Sequence, residues 1–214
     1  MNEAEVLSKL KQAAESASLH SKRVDKVLYR KGPPAGVFLP PAGTQGETHI
    51  LLRSGRPVDA TLLTLCHELG HFWSYATGRR TQEYEKALLH LNRWMSSLDS
   101  KVRNHDAVMA FPSGAPIPEE VRTLALANAK REKPNPLALE QRWAVVSEEV
   151  RAWCFGAELA KVLGVPEGRV LAEAQVALGY YYELVELSPT AWSSASCIED
   201  LLAEDRRFIE ELAK

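Results

Sequence analysis

The chain has 214 residues, 45% of them apolar and 25% charged, a balance that excludes a fibrous or disordered polymer and supplies a sizeable core. Its 26 basic and 28 acidic residues give a formal net charge of −2 and are interspersed, so no strong positive field exists to gather nucleic acid or anionic lipid. Three cysteines, Cys66, Cys154 and Cys197, are odd in number and widely spaced, which argues against a disulfide scaffold or a cysteine-rich zinc site and for reduced thiols.

The opening MNEAEVLSKLKQAAES lacks the apolar run of a signal peptide. No stretch approaches the roughly 18 apolar residues of a membrane span, so the expectation is a cytoplasmic protein with no membrane partner. Val6, Leu7, Leu10, Ala13, Ala14 and Ala17 recur at three- and four-residue intervals and predict an amphipathic helix over 3–17. Extended segments at 24–30, 36–39 and 48–53, parted by Gly32-Pro33-Pro34 and Pro40-Pro41-Ala42-Gly43, predict a small antiparallel or mixed sheet. Pro57 opens a helix over 58–76 with a broad apolar face (Leu62, Leu63, Leu65, Cys66, Leu69, Phe72, Trp73), and Gly78 stands where it should stop. Thr81 caps a helix to 98 with Leu88, Leu89, Leu91, Trp94 and Met95 inward. Polar, turn-rich sequence over 100–118 and a short helix over 118–130 follow. Lys133-Pro134-Asn135-Pro136 then precedes a long helix over 137–163, ended by Gly164 and Pro166. Helices over 167–187 and 196–213 finish the chain. Strands early and helices afterwards predict an α+β fold, predominantly helical, with a small N-terminal β-sheet packed on a helix bundle in one domain, 1–214.

Cys66-His67-Glu68-Leu69-Gly70-His71 contains H-E-x-x-H. Four residues apart on a helix share nearly one azimuth, so His67 and His71 can reach one zinc ion, while Glu68, about 100° round, suits a carboxylate touching the attacking water. Such a zinc ion polarises a carbonyl and acidifies water; Glu68 would take the water's proton and pass it to the leaving amine. Unpaired imidazoles and a carboxylate on so apolar a helix would be costly to bury, which favours metal over a packing role. For a third ligand, Ser74 and Thr77 stand where the metzincin pattern needs Gly and His. A later glutamate is the other solution, and the candidates are Glu83, Glu85, Glu148 and Glu149.

The segment Glu149-Val150-Arg151-Ala152-Trp153-Cys154-Phe155-Gly156-Ala157-Glu158-Leu159 resembles the second motif of ImmA/IrrE-type metallopeptidases, E-x-E-A-N-x-F-A-x-E-L-L. It is also similar to the gluzincin arrangement, in which Phe-Gly follows the ligand glutamate. The resemblance implies a zincin-like fold, a zinc ion held by His67, His71 and Glu149, and limited proteolysis of a protein partner such as a DNA-binding repressor. It departs from the family at Arg151 and Trp153, which replace a glutamate and an asparagine, and at Ala160-Lys161. It also needs a helical insertion at about 80–135 between the two motifs. Two other readings are a non-enzymatic, metal-stabilised binding protein and a zinc hydrolase of a small amide or ester.

His90, His105 and Tyr180-Tyr181-Tyr182 are candidate donors to a developing oxyanion, with no spacing to select among them. Trp73, Trp94, Trp143, Trp153 and Trp192 read as core. The strand His49-Ile50-Leu51-Leu52 is a candidate edge for pairing with extended substrate.

Overall fold

Asn2 starts the first helix, α1 (Glu3–Ser16), with a reciprocal cap. The Glu5 N–H donates to Asn2 Oδ1 at 2.9 Å and the Asn2 N–H to Glu5 Oε2 at 3.0 Å, which satisfies two donors that a helix start otherwise leaves orphaned. In the computed structural model, which describes residues 2–31, 35–41, 46–97, 135–188 and 201–214, five strands follow. β1 (Ser18–Leu19) and β2 (Lys22–Arg23) form a hairpin that the sequence reading does not contain. Its turn residues His20 and Ser21 sit at φ of 48° and 62°, and neither is the Asn or Gly that signals such a turn.

β3 (Lys26–Arg30), β4 (Gly36–Leu39) and β5 (His49–Arg53) make a mixed sheet in the order β3-β5-β4, parallel at β3/β5 and antiparallel at β4/β5. β5 is therefore central, and the expectation that residues 49–52 offer an edge to substrate is corrected: both sides of that strand are taken. β3 and β4 are the outer strands of this sheet. Arg53 N–H donates to the Ala35 carbonyl at 2.8 Å, and antiparallel pairs alternate, so the peptide groups of Gly36 and Phe38, opposite Leu52 and Ile50, turn outward.

α2 (Val58–Ala76) lies across this sheet and is buried along nearly its whole length. Gly78, at φ 73°, ends it, and the Arg79 N–H returns to the Ser74 carbonyl at 2.9 Å. Thr81 Oγ1 accepts from the Tyr84 N–H at 3.2 Å and caps α3 (Gln82–Ser97) as expected. The buried face of α3 is Tyr84, Ala87, Leu91 and Trp94, whereas Leu89 is exposed. α4 (Leu139–Val162), α5 (Glu167–Leu184) and α6 (Ala203–Leu212) complete the described elements. The remainder of the expected insertion, including the helix at 118–130, lies outside the described residues, as do residues 189–200.

The fold is α+β and predominantly helical, with two apolar clusters. One joins α1, the sheet, α2, the second half of α4 and α6; the other joins α3, the first half of α4 and α5. α4 belongs to both and ties them together. Among the described residues, no helix is long and apolar enough to cross a membrane.

Candidate metal centre

α2 and α4 run antiparallel in close contact because two glycines remove the side chains that would part them. A Cβ on Gly70 would fall 2.1 Å from the Ala152 carbonyl oxygen, and one on Gly156 would fall 2.9 Å from that of Cys66. Only glycine permits this approach. Residues 70 and 152, 66 and 156, and 74 and 148 face each other in one continuous register, which carries the His67 and His71 side chains toward the start of the Glu149 turn.

His67, His71 and Glu149 are all buried and offer ligand atoms that lie within 4.8 Å of one another. Glu149 Oε2 is 3.3 Å from His67 Nε2 and 3.6 Å from His71 Nε2. Yet Glu149 Oε2 makes no well-formed hydrogen bond, so a buried carboxylate oxygen faces two imidazole nitrogens without being satisfied by either. Ligands at the usual zinc distances in a tetrahedron stand about 3.3–3.4 Å apart; the His67 separation equals that edge and the His71 separation is slightly longer. The charges agree: Glu68, Glu148 and Glu149 are buried carboxylates and the guanidinium in direct contact with them is Arg151. Once His71 gives up its proton to act as a ligand, three carboxylates against one guanidinium leave room for a divalent cation. A buried His-His-Glu group that could hold a metal ion is thus present.

The fields around these groups are large. Burial alone would depress His71, but the Glu149 charge and its contacts with Glu148 and Glu149 outweigh it and raise the imidazole to about 10. Burial likewise pushes Glu149 up, and the His71 charge with the two imidazole contacts overcomes it and holds the carboxyl at about 2. Glu148 is fully buried; burial raises it, and hydrogen bonds from His71, Ser74 and Arg151 win and lower it. Glu68 differs, since burial dominates and its carboxyl is raised, which makes it a stronger base. Its oxygen accepts from the outward-facing Phe38 N–H of β4, and Gly36 is pressed so closely on it that a Cβ there would lie 2.6 Å from Glu68 Oε1. The outer edge of β4 therefore borders the centre.

Of the alternatives for the third ligand, Glu83 pairs with Lys86 at 3.1 Å and Glu85 with Arg80 at 2.5 Å, both at the surface of α3. Glu148 touches the other nitrogen of His71, Nδ1, at 3.3 Å. Sequence reasoning missed its companions: Ser74 Oγ donates to Glu148 Oε2 at 2.8 Å and Arg151 at 3.0 Å. Ser74 was legible in principle, three residues beyond His71 on the same helical face. Trp153 stacks on His67 with ring centroids 4.6 Å apart, so Arg151 and Trp153, two of the three departures from the resembled motif, adjoin the centre.

Tyr84 and Tyr181 are raised well above 10, by burial first and then by Glu149, with Glu68 contributing. His90 contacts Gln141 at 3.3 Å on the α3/α4 seam, and His105 lies outside the described residues. Cys66 is free and buried, its thiol pushed up to about 12 by burial. Cys154 is disulfide-bonded, which corrects the expectation of three reduced thiols. Trp73, Trp94 and Trp153 are core residues, but Trp143 is 45% exposed; Trp192 lies outside the described residues. A scan against protein-family models gives no match, and searches of curated proteins and of solved structures give none either.

Proposed function

We propose that the chain is a zinc metallopeptidase of ImmA/IrrE-like type, with His67, His71 and Glu149 as metal ligands and Glu68 as general base. The observation that carries this reading is the convergence of ligand atoms from three buried residues, of which Glu149 Oε2 has no hydrogen bond, with a base of raised pKa on the same helix. Zinc, when bound, supplies a Lewis acid that polarises a carbonyl and acidifies water. Buried and held by the Phe38 N–H, Glu68 takes the proton of the attacking water and delivers it to the leaving amine. The outward edge of β4, apart from the Phe38 N–H that Glu68 already takes, favours an extended peptide over a small amide or ester, because a strand edge recognises main chain. The family resemblance adds a protein partner, such as a DNA-binding regulator, as substrate. A non-enzymatic role would call for a fourth protein ligand, and three donors form the group found among the described residues.

The test is Glu68→Gln, assayed on a quenched-fluorescent peptide library and on a candidate regulator. Zinc content is expected to stay at one per chain while hydrolysis falls about 10²–10⁴-fold, the range for losing a general base. An unchanged rate removes Glu68 from the mechanism.

A further inference from the structure

We propose that Glu148 is a positioning residue that fixes the orientation and tautomer of His71, and that Ser74 and Arg151 hold Glu148 for that task. The inference rests on the metal centre proposed above and goes beyond its ligand set. Glu148 and Glu149 are consecutive on α4, about 100° apart around the helix axis, and they meet opposite nitrogens of one imidazole. Glu148 Oε1 stands 3.3 Å from His71 Nδ1, and Glu149 Oε2 stands 3.6 Å from His71 Nε2. An ionised carboxylate only accepts, so Nδ1 carries the hydrogen and Nε2 is left to present its lone pair to a cation.

The second oxygen of Glu148 has its own partners. Ser74 Oγ donates to Oε2 at 2.8 Å and Arg151 at 3.0 Å, which leaves Oε1 for the imidazole. Ser74 comes from the helix that carries His71, and Arg151 from the helix that carries Glu149, so the carboxylate bridges both walls of the centre. Glu148 has no exposed surface, and its three contacts account for its burial. His67 is held otherwise: its Nδ1 makes no hydrogen bond among the described residues, and its ring rests on the Trp153 indole. Of the two imidazoles, His71 alone has a carboxylate behind it, and metal-bound histidines are generally oriented by such an outer partner.

The test measures zinc affinity by competition with a chromogenic chelator for the wild type, Glu148→Gln and Ser74→Ala, with imidazole tautomers read from long-range ¹H–¹⁵N spectra of the zinc forms. Glu148→Gln is expected to weaken zinc about 10–100-fold and to broaden or shift the His71 Nδ1–H signal while leaving that of His67 in place. Ser74→Ala keeps the carboxylate and loses one of its donors; a loss of about twofold to tenfold is expected, and this variant carries the test if Glu148→Gln does not fold. Wild-type affinity in the folded variants overturns the role of Glu148 alone. A wild type that takes up no zinc overturns the metal centre itself, which is a different result.

Discussion

Replacing Gly70 by alanine places a methyl carbon 2.1 Å from the Ala152 carbonyl oxygen, where ordinary contact begins at 3.4 Å. The obstacle is backbone on a packed helix, so it cannot swing aside; α2 and α4 must part by about 1.3 Å at that level (3.4 less 2.1). Overpacking of this kind costs about 1–3 kcal/mol, and the backbone contact places it toward the upper end. Alanine returns about 1 kcal/mol through its better helix propensity. The net loss is then about 1–2 kcal/mol, or a fall in Tm of about 2–8 °C for a chain of this size. Metal binding is expected to suffer more, because His71 is the next residue and ligand distances tolerate only about 0.2 Å. Differential scanning calorimetry in chelator, beside zinc competition, reads both effects; zinc affinity should drop at least about tenfold. Gly168→Ala is the control, since a Cβ there meets nothing within 4 Å. A Gly70→Ala protein with wild-type Tm and wild-type zinc affinity would refute the close approach of the two helices as the basis of the centre.

The metal-free protein should show a pH signature set by His71 and Glu149. His71 is raised from 6.5 to about 10, so its stabilisation is complete below pH 6.5 and is lost as pH climbs through 10; Glu149 is lowered from 4.5 to about 2, so its share is complete above pH 4.5 and is lost toward pH 2. Urea midpoints in chelator should therefore fall between pH 7 and 10 for the wild type and lose that slope in His71→Ala; equal slopes in both would contradict the assignment. Zinc uptake must displace the His71 proton, so affinity should rise about tenfold per pH unit over pH 6–9, and a pH-independent affinity would count against it. Tyr181→Phe is expected to lower kcat about 10²–10³-fold with zinc retained if its hydroxyl is the oxyanion donor, and Tyr84→Phe is the comparison; two full-activity variants would exclude both hydroxyls.

Much of the centre was legible because helical periodicity is rigid. His67 and His71 had to project together from 58–76, and the Phe-Gly pair after Glu149 marked the opposing helix. The choice of Glu149 over Glu148 could not come from periodicity, since adjacent residues differ by one azimuth. The relative placement of α2 and α4 groups Glu149, not Glu148, with the ligand atoms of both histidines, and that placement depends on Gly70 and Gly156 meeting Ala152 and Cys66. Arg151 and Trp153 read as departures from a motif; in the fold they adjoin Glu148 and His67. The sheet was predicted as a set of strands but not in its order. Strand order is set by long-range pairing, which is why β5 was taken for an edge and β4, the strand beside Glu68, was not. The β1/β2 hairpin escaped notice because His20 and Ser21 adopt positive φ without the residues that announce it.

The most direct test of the central claim is elemental analysis for zinc on the wild type beside His71→Ala and Glu149→Ala, each purified alike and equilibrated with buffered zinc. One zinc per chain is predicted for the wild type, and less than about a tenth of that in each variant under buffering near the wild-type Kd. A wild type without zinc, or a Glu149→Ala protein that retains it fully, would contradict the account.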